Sequence, residues 1–248
     1  MTSEKPLSAE DLEARWSNLR RTLDHNGAAA CCAAIQSEAD VEHREQLFRY
    51  AIRKLGGGSG ASASDLDAMV TIGNAATSNK EGREPQVNVL AFNLSANLCD
   101  CWGDGDSRQR SHFEAGLRFA DLALELRKFL KKDASSFSMA HWARGKHLLS
   151  LGRAREAAEA FQESLNCEQT AARENGQDPS SLETAPGGLL NSRAFLGLSM
   201  ARSGRQEGNA MLEESIAILS NRVEHGEGEL KEDAQVYLDQ IQESIKRA

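Results

Sequence analysis

Two nine-residue stretches, GKHLLSLGR (145–153) and GLSMARSGR (197–205), each place two glycines seven apart and follow them with arginine. One glycine inside a helix costs about 1 kcal/mol relative to alanine. A chain that accepts this cost repeatedly is using the missing side chains. We expect Gly145 to let two helices touch and Gly152 to turn the chain between them. Downstream, AFQESL (160–165) is matched by MLEESI (211–216), with one residue fewer between glycine and block in the second copy. The chain is therefore built on an internal repeat.

The rest of the sequence predicts helices alone. Alanine, leucine, glutamate and arginine dominate, and β-branched residues never alternate over a strand's length. Helices are expected over 9–24, 27–37, 40–55, 65–78, 86–102, 110–131, 137–150, 154–175, 188–203, 206–221 and 229–246. Pro6, Pro85, Pro179 and Pro186 fall where the periodic pattern breaks. Most connections are short, which predicts antiparallel neighbours. GGGSGASAS (56–64) is expected to be a flexible link, and ENGQDPSSLETAPGG (174–188) to loop out. Within 154–165 the alanines and Phe161 fall on one helix face, the small residues allowing close approach to another helix.

These patterns resemble the tetratricopeptide repeat, a helix–turn–helix unit of about 34 residues. In the best copy its W-x2-L-G-x2-Y, A-x3-F and P positions hold His141, Arg144, Gly145, Leu148, Ala157, Phe161 and Gln169. The glycine, the large apolar residue, the alanine and the phenylalanine fit; the tryptophan, leucine and proline do not, and Trp142 lies one place late. A second copy has Leu196, Gly197, Met200 and Leu212. A third has Leu94, Ser95 and Leu98, then Ala115 and Phe119 after an insertion at GDGDSRQR. A weaker fourth has Cys31, Cys32, Ile35 and Phe48. The helix at 65–78 has no partner in this scheme.

The resemblance implies an all-α fold, an α-solenoid of tetratricopeptide-like repeats with a C-terminal capping helix. Residues 1–55 hold N-terminal helices with a weak repeat-like pair, 56–64 the linker, 65–228 the repeats and 229–248 the cap. The cap carries a stripe of Leu230, Ala234, Tyr237, Leu238, Ile241 and Ile245 and is expected to pack on the helix at 206–221. A homodimer through that stripe is the rival reading.

No constellation points to catalysis or a metal. His141 and His147 lie six apart, off a common helix face. Cys99 and Cys101 can share an ion only if the helix has ended there, and no second pair follows. Asp100, Asp104 and Asp106 lack the EF-hand pattern, and the glycine run lacks Gly-Lys-Ser/Thr. No catalytic residue, metal or cofactor is expected. Five cysteines without regular spacing predict a reducing cytoplasm. The start, MTSEKPLSAEDLEARW, has no apolar core and is expected not to be a secretion signal. No apolar run reaches the roughly 20 residues of a membrane helix. The net charge, 29 − 37 = −8, argues against nucleic acid.

The function the resemblance implies is a non-enzymatic adaptor that binds another protein or a peptide segment along a concave groove. Family groove positions carry over to Val89, Phe92, Asn93, Ala96, Cys99 and Asp100, then to Met139, Trp142, Ala143, Lys146, Leu149 and Ser150. In the last repeat they are Asn191, Ala194, Phe195, Leu198, Ala201 and Arg202. Phe92, Asn93, Trp142, Lys146, Asn191, Phe195 and Arg202 are the candidate contacts, with Trp142 either lining the groove or filling the core. The lysine–asparagine pair of chaperone-tail-binding members is not reproduced. The alternative is a regulatory sensor whose repeats enclose a small ligand or signalling peptide.

Overall fold

A computed structural model describes residues 6–56, 60–102 and 107–247. Among these, ten helices and no strand form: α1 (Ala9–Gln36), α2 (Val41–Gly56), α3 (Ala63–Thr77), α4 (Glu84–Leu98), α5 (Arg110–Phe129), α6 (Ala134–Ser150), α7 (Ala154–Glu174), α8 (Gly187–Arg202), α9 (Glu207–His225) and α10 (Gly228–Lys246). The expected helices at 9–24 and 27–37 are one element, α1, broken at Gly27, whose φ of 83° and ψ of 174° are not helical. Caps set several starts. Ser8 and Asp11 form a capping box for α1, Ser62 accepts from the Asp65 N–H for α3, and Asp133 from that of Ser136 for α6.

Each helix packs on the one before it and the one after it. Contacts also skip one element: α1 with α3, α2 with α4, α3 with α5, α4 with α6 and α8 with α10. The helix at 65–78, partnerless in the repeat scheme, is thus wedged between α2 and α4 as α3. Two apolar cores result. One runs from Trp16 through Ile35, Phe48 and Met69 to Phe119, the other from Leu148 through Phe161 and Phe195 to Ile241. A thin layer of Ala91, Ala123 and Ala140 lies where α4, α5 and α6 meet.

The two glycine pairs behave alike. A Cβ on Gly145 would meet the Phe161 ring at 2.8 Å, and one on Gly197 would meet the backbone of Gly208 and Leu212 at 2.7 and 2.8 Å. Gly152 and Gly204 take φ of 76° and 88°. In both turns the residue after this glycine donates its N–H five residues back, Arg153 to Leu148 O and Arg205 to Met200 O, each at 2.9 Å. This is the left-handed helix stop that glycine adopts without a Cβ penalty.

Three expectations differ. α4 ends at Leu98 instead of 102, because Cys99 is extended and the Trp102 indole folds back to donate to Ala96 O at 2.9 Å. Cys99 and Cys101 therefore lie beyond the helix, as buried free thiols. The 174–188 segment does not loop out freely: Arg222 of α9 donates to the carbonyls of Glu183 at 2.9 Å and Ala185 at 2.7 Å. The link at 56–64 is shorter than expected, since Gly56 belongs to α2 and α3 begins at Ala63. Its residues 57–59, like the 103–106 part of the expected insertion, lie outside the described residues.

Candidate functional site

The carried-over groove positions have unequal exposure. On α4, Asn93 is exposed, and Phe92 is half-buried beneath the Arg127 guanidinium, 4.5 Å from its ring centroid. On α6, Trp142 is half-buried and meets Phe195 edge-on at 5.8 Å, while Lys146 is 1% exposed. On α8, Asn191 and Phe195 are buried, Phe195 stacking on Phe161 at 5.2 Å, and Arg202 is half-buried.

Helix α10 explains the burial. It packs on α9, as the stripe predicts, and also on α8. Ala234, Leu238 and Ile241 enter the second core with Tyr237 beside them, whereas Leu230 and Ile245 stay exposed. Two polar residues of α10 are buried instead, and they face the groove positions. Asn191 Nδ2 donates to Gln240 Oε1 at 3.4 Å. Lys146 Nζ donates to Ser244 Oγ at 2.5 Å, and Arg202 Nη2 to Ser244 O at 2.6 Å.

Lys146 also pairs with Asp100, Nζ to Oδ1 at 3.0 Å, and Ser150 Oγ donates to the other carboxylate oxygen at 2.9 Å. Burial opposes ionisation of Asp100, yet the Lys146 ammonium holds its carboxyl below the ordinary value. His147, on the same helix, is fully buried with Nε2 3.0 Å from Ser95 O and 3.7 Å from Cys99 Sγ. Burial pushes its pKa down to about 4, so the ring is neutral near pH 7. Among the described residues no group of three or more His, Cys, Asp or Glu side chains is placed to hold a metal ion.

Two pockets open beside the groove positions. The first, about 440 Å3, lies among α1, α2 and α4. Its apolar floor is Leu12, Tyr50, Ile52 and Leu90, and Arg49, Arg53, Asn93 and Asn97 also line it. Arg53 lies over the Tyr50 ring at 4.7 Å. The second, about 670 Å3, gathers Asp100, Lys146 and Arg202 with Arg108, Ser244 and Arg247. Of the candidate contacts, Asn93 lines the first pocket and Lys146 and Arg202 line the second; Phe92, Trp142, Asn191 and Phe195 line neither.

The sequence reading missed Tyr50, Arg49, Arg53, Ser244 and Arg247. The first three sit on α2, the second helix of the weak fourth pair, whereas groove positions were carried only onto first helices. Arg49 and Arg53 are four apart, which places them on one face, and that signal was present. Ser244 and Arg247 were hidden because α10 reads as an apolar stripe with a solvated back.

No protein-family model, no curated protein and no solved structure matches this chain. Among the described residues no helix is long and apolar enough to cross a membrane.

Proposed function

We propose that this chain is a non-enzymatic adaptor, a tetratricopeptide-like solenoid capped by α10, that binds an extended segment of another protein in the pocket among α1, α2 and α4. The observation that carries this is the lining of that pocket. Asn93 and Asn97 are one helical turn apart, and their side-chain amides can each pair with a backbone amide of a bound strand. The floor of Leu12, Tyr50, Ile52 and Leu90 suits an apolar side chain, and Arg49 and Arg53 favour an acidic residue beside it. The five free cysteines support a reducing cytoplasm as the setting.

An array of immobilised peptides pairing one large apolar residue with neighbouring acidic ones tests the reading, with fluorescence anisotropy on the hits. Asn93→Ala with Asn97→Ala, and separately Arg49→Glu with Arg53→Glu, are expected to weaken binding at least tenfold with the melting temperature unchanged. Binding that survives both pairs of changes, or no saturable peptide at all, defeats the proposal.

The sensor reading has one observation in its favour. α10 covers the inner positions of α8 and leaves a polar pocket where the ends of α4, α6, α8 and α10 converge. In that reading a ligand moves α10 relative to the body. Solution scattering with and without ligand separates the two, since an adaptor keeps its dimensions and a sensor changes them.

A further inference from the structure

We infer that the pocket at the converging ends of α4, α6, α8 and α10 is a binding site for a small molecule carrying a phosphate or diphosphate group. This site shares no lining residue with the proposed peptide pocket, although the two border opposite sides of the end of α4, where Arg108 of this site donates to the Asn97 carbonyl of the other at 2.7 Å.

The inference starts from charge. In a chain with a net charge of −8, this pocket is lined by Arg108, Lys146, Arg202 and Arg247, with Asp100 the one carboxylate among its described lining residues. Asp100 is spent on Lys146 at 3.0 Å. Glu243, one turn back on α10, holds Arg247 at 2.5 Å. Arg108 donates to Asn97 O at 2.7 Å, and Arg202 makes no ion pair with any described residue. One of its donors is used on Ser244 O, and its buried Nε has no hydrogen-bond partner. Burial lowers the Arg202 pKa, the cost of holding a cation partly out of water, and only the more distant Asp100 opposes this. A half-buried guanidinium at the wall of a pocket, with no ion-pair partner, is completed by an anion that presents several acceptor oxygens to its terminal nitrogens.

Shape and backbone agree with this assignment. At about 670 Å3 the pocket is within the size range of sites for small organic ligands. Phe113 and Leu149 give it an apolar wall for the part of a ligand that is not phosphate. Gly152 and Ala154 bring the start of α7 to the rim. No side chain caps that helix, so its first N–H groups are open to an acceptor. The cations come from four separate elements, so a bound anion would tie α10 to the body of the protein.

Isothermal titration of the full chain at low salt tests this, with inorganic pyrophosphate and inorganic phosphate as the probes. Saturable binding of one pyrophosphate per chain is expected. Arg202→Glu should weaken it at least tenfold, as should Arg247→Gln at the more exposed rim, which keeps the test intact should Arg202→Glu loosen α10. Arg205→Glu, on the exposed turn after α8 and paired with Glu207, should change it by less than a factor of two. Pyrophosphate should also raise the melting temperature of the parent and not that of Arg202→Glu. The inference is overturned if no saturable binding occurs, if both pocket variants bind like the parent, or if Arg205→Glu weakens binding as much as Arg202→Glu. Sulfate binding as tightly as pyrophosphate overturns the phosphate assignment.

Discussion

Gly145→Ala isolates the close approach on which the repeat depends. In an open helix the change is stabilising by about 1 kcal/mol, because alanine loses less backbone freedom on folding. Here the new methyl would stand 2.8–2.9 Å from three atoms of the Phe161 ring. That ring cannot yield easily: it is fully buried and stacked on Phe195. Overpacking of this kind costs about 1–3 kcal/mol. Setting one against the other leaves Gly145→Ala destabilised by about 0–2 kcal/mol, and Gly145→Leu by more. The sharper test is a double-mutant cycle. Phe161→Leu removes the ring and costs stability on its own, but it also removes the clash. In that background Gly145→Ala should turn stabilising, toward the open-helix value. Urea unfolding of the four proteins, followed by far-ultraviolet circular dichroism, gives every term. If Gly145→Ala stabilises the parent by the full helix-propensity amount, the two helices do not touch at Gly145 and the packing argument fails.

Four further outcomes are expected. Lys146→Met should cost about 3–5 kcal/mol in urea unfolding, because it strands the Asp100 carboxylate in a buried site; a cost under about 1 kcal/mol would show that water reaches the pair. The His147 pKa, lowered from 6.5 to about 4, means that the unfolded chain binds this proton more readily than the folded one. Its contribution, on the order of 3 kcal/mol, is therefore complete above pH 6.5 and lost progressively as pH falls toward 4; proton uptake on unfolding that is the same in His147→Gln as in the parent above the carboxylate range would count against this. Trp142→Ala should lower stability by about 1–3 kcal/mol through lost contact with Phe195, and an unchanged melting curve would put the indole in solvent. Deleting residues 229–248 exposes what Leu238 and Ile241 cover, worth about 1.5–3 kcal/mol each before entropy is subtracted; light scattering should show aggregation of a formerly monomeric protein, whereas a dimer that becomes a well-behaved monomer would assign α10 to an interface between copies.

The helical elements were legible because each is written twice over, in periodicity and in punctuation. Gly145 and Gly152 could be given separate tasks from the resemblance their spacing brings out, and the structure places one against Phe161 and the other in a left-handed turn. The errors at element ends have one cause: a distant side chain decides where a local signal does not. α4 was read to 102, but the Trp102 indole turns back onto Ala96 O, and no local preference encodes that hydrogen bond. The 174–188 segment has the composition of a free loop, and it is the Arg222 guanidinium, some 40 residues later, that fastens its carbonyls.

The candidate site was less legible because a positional rule competed with a compositional one. Carrying groove positions onto α8 sends Asn191, Ala194, Phe195 and Leu198 toward a ligand. The same helix reads GGLLNSRAFLGLSMAR, apolar on every side, and such a helix is covered on every side. Composition prevails: from Leu189 to Met200 every residue but Arg193 is buried. The cover is α10, and its polar residues are not solvated as a stripe-and-back reading assumes. Gln240 meets Asn191, and Ser244 meets both Lys146 and Arg202. Polar positions on the inner face are thus answered by polar positions on the covering helix. A ligand reaching that stretch would have to replace each of these bonds and leave the Lys146–Asp100 pair intact. The pocket beside Asn93 touches none of these residues, and the pocket beside Arg202, lined by Asp100, Lys146 and Ser244 themselves, is already open with their bonds in place, so binding is expected there and not along the middle of this face.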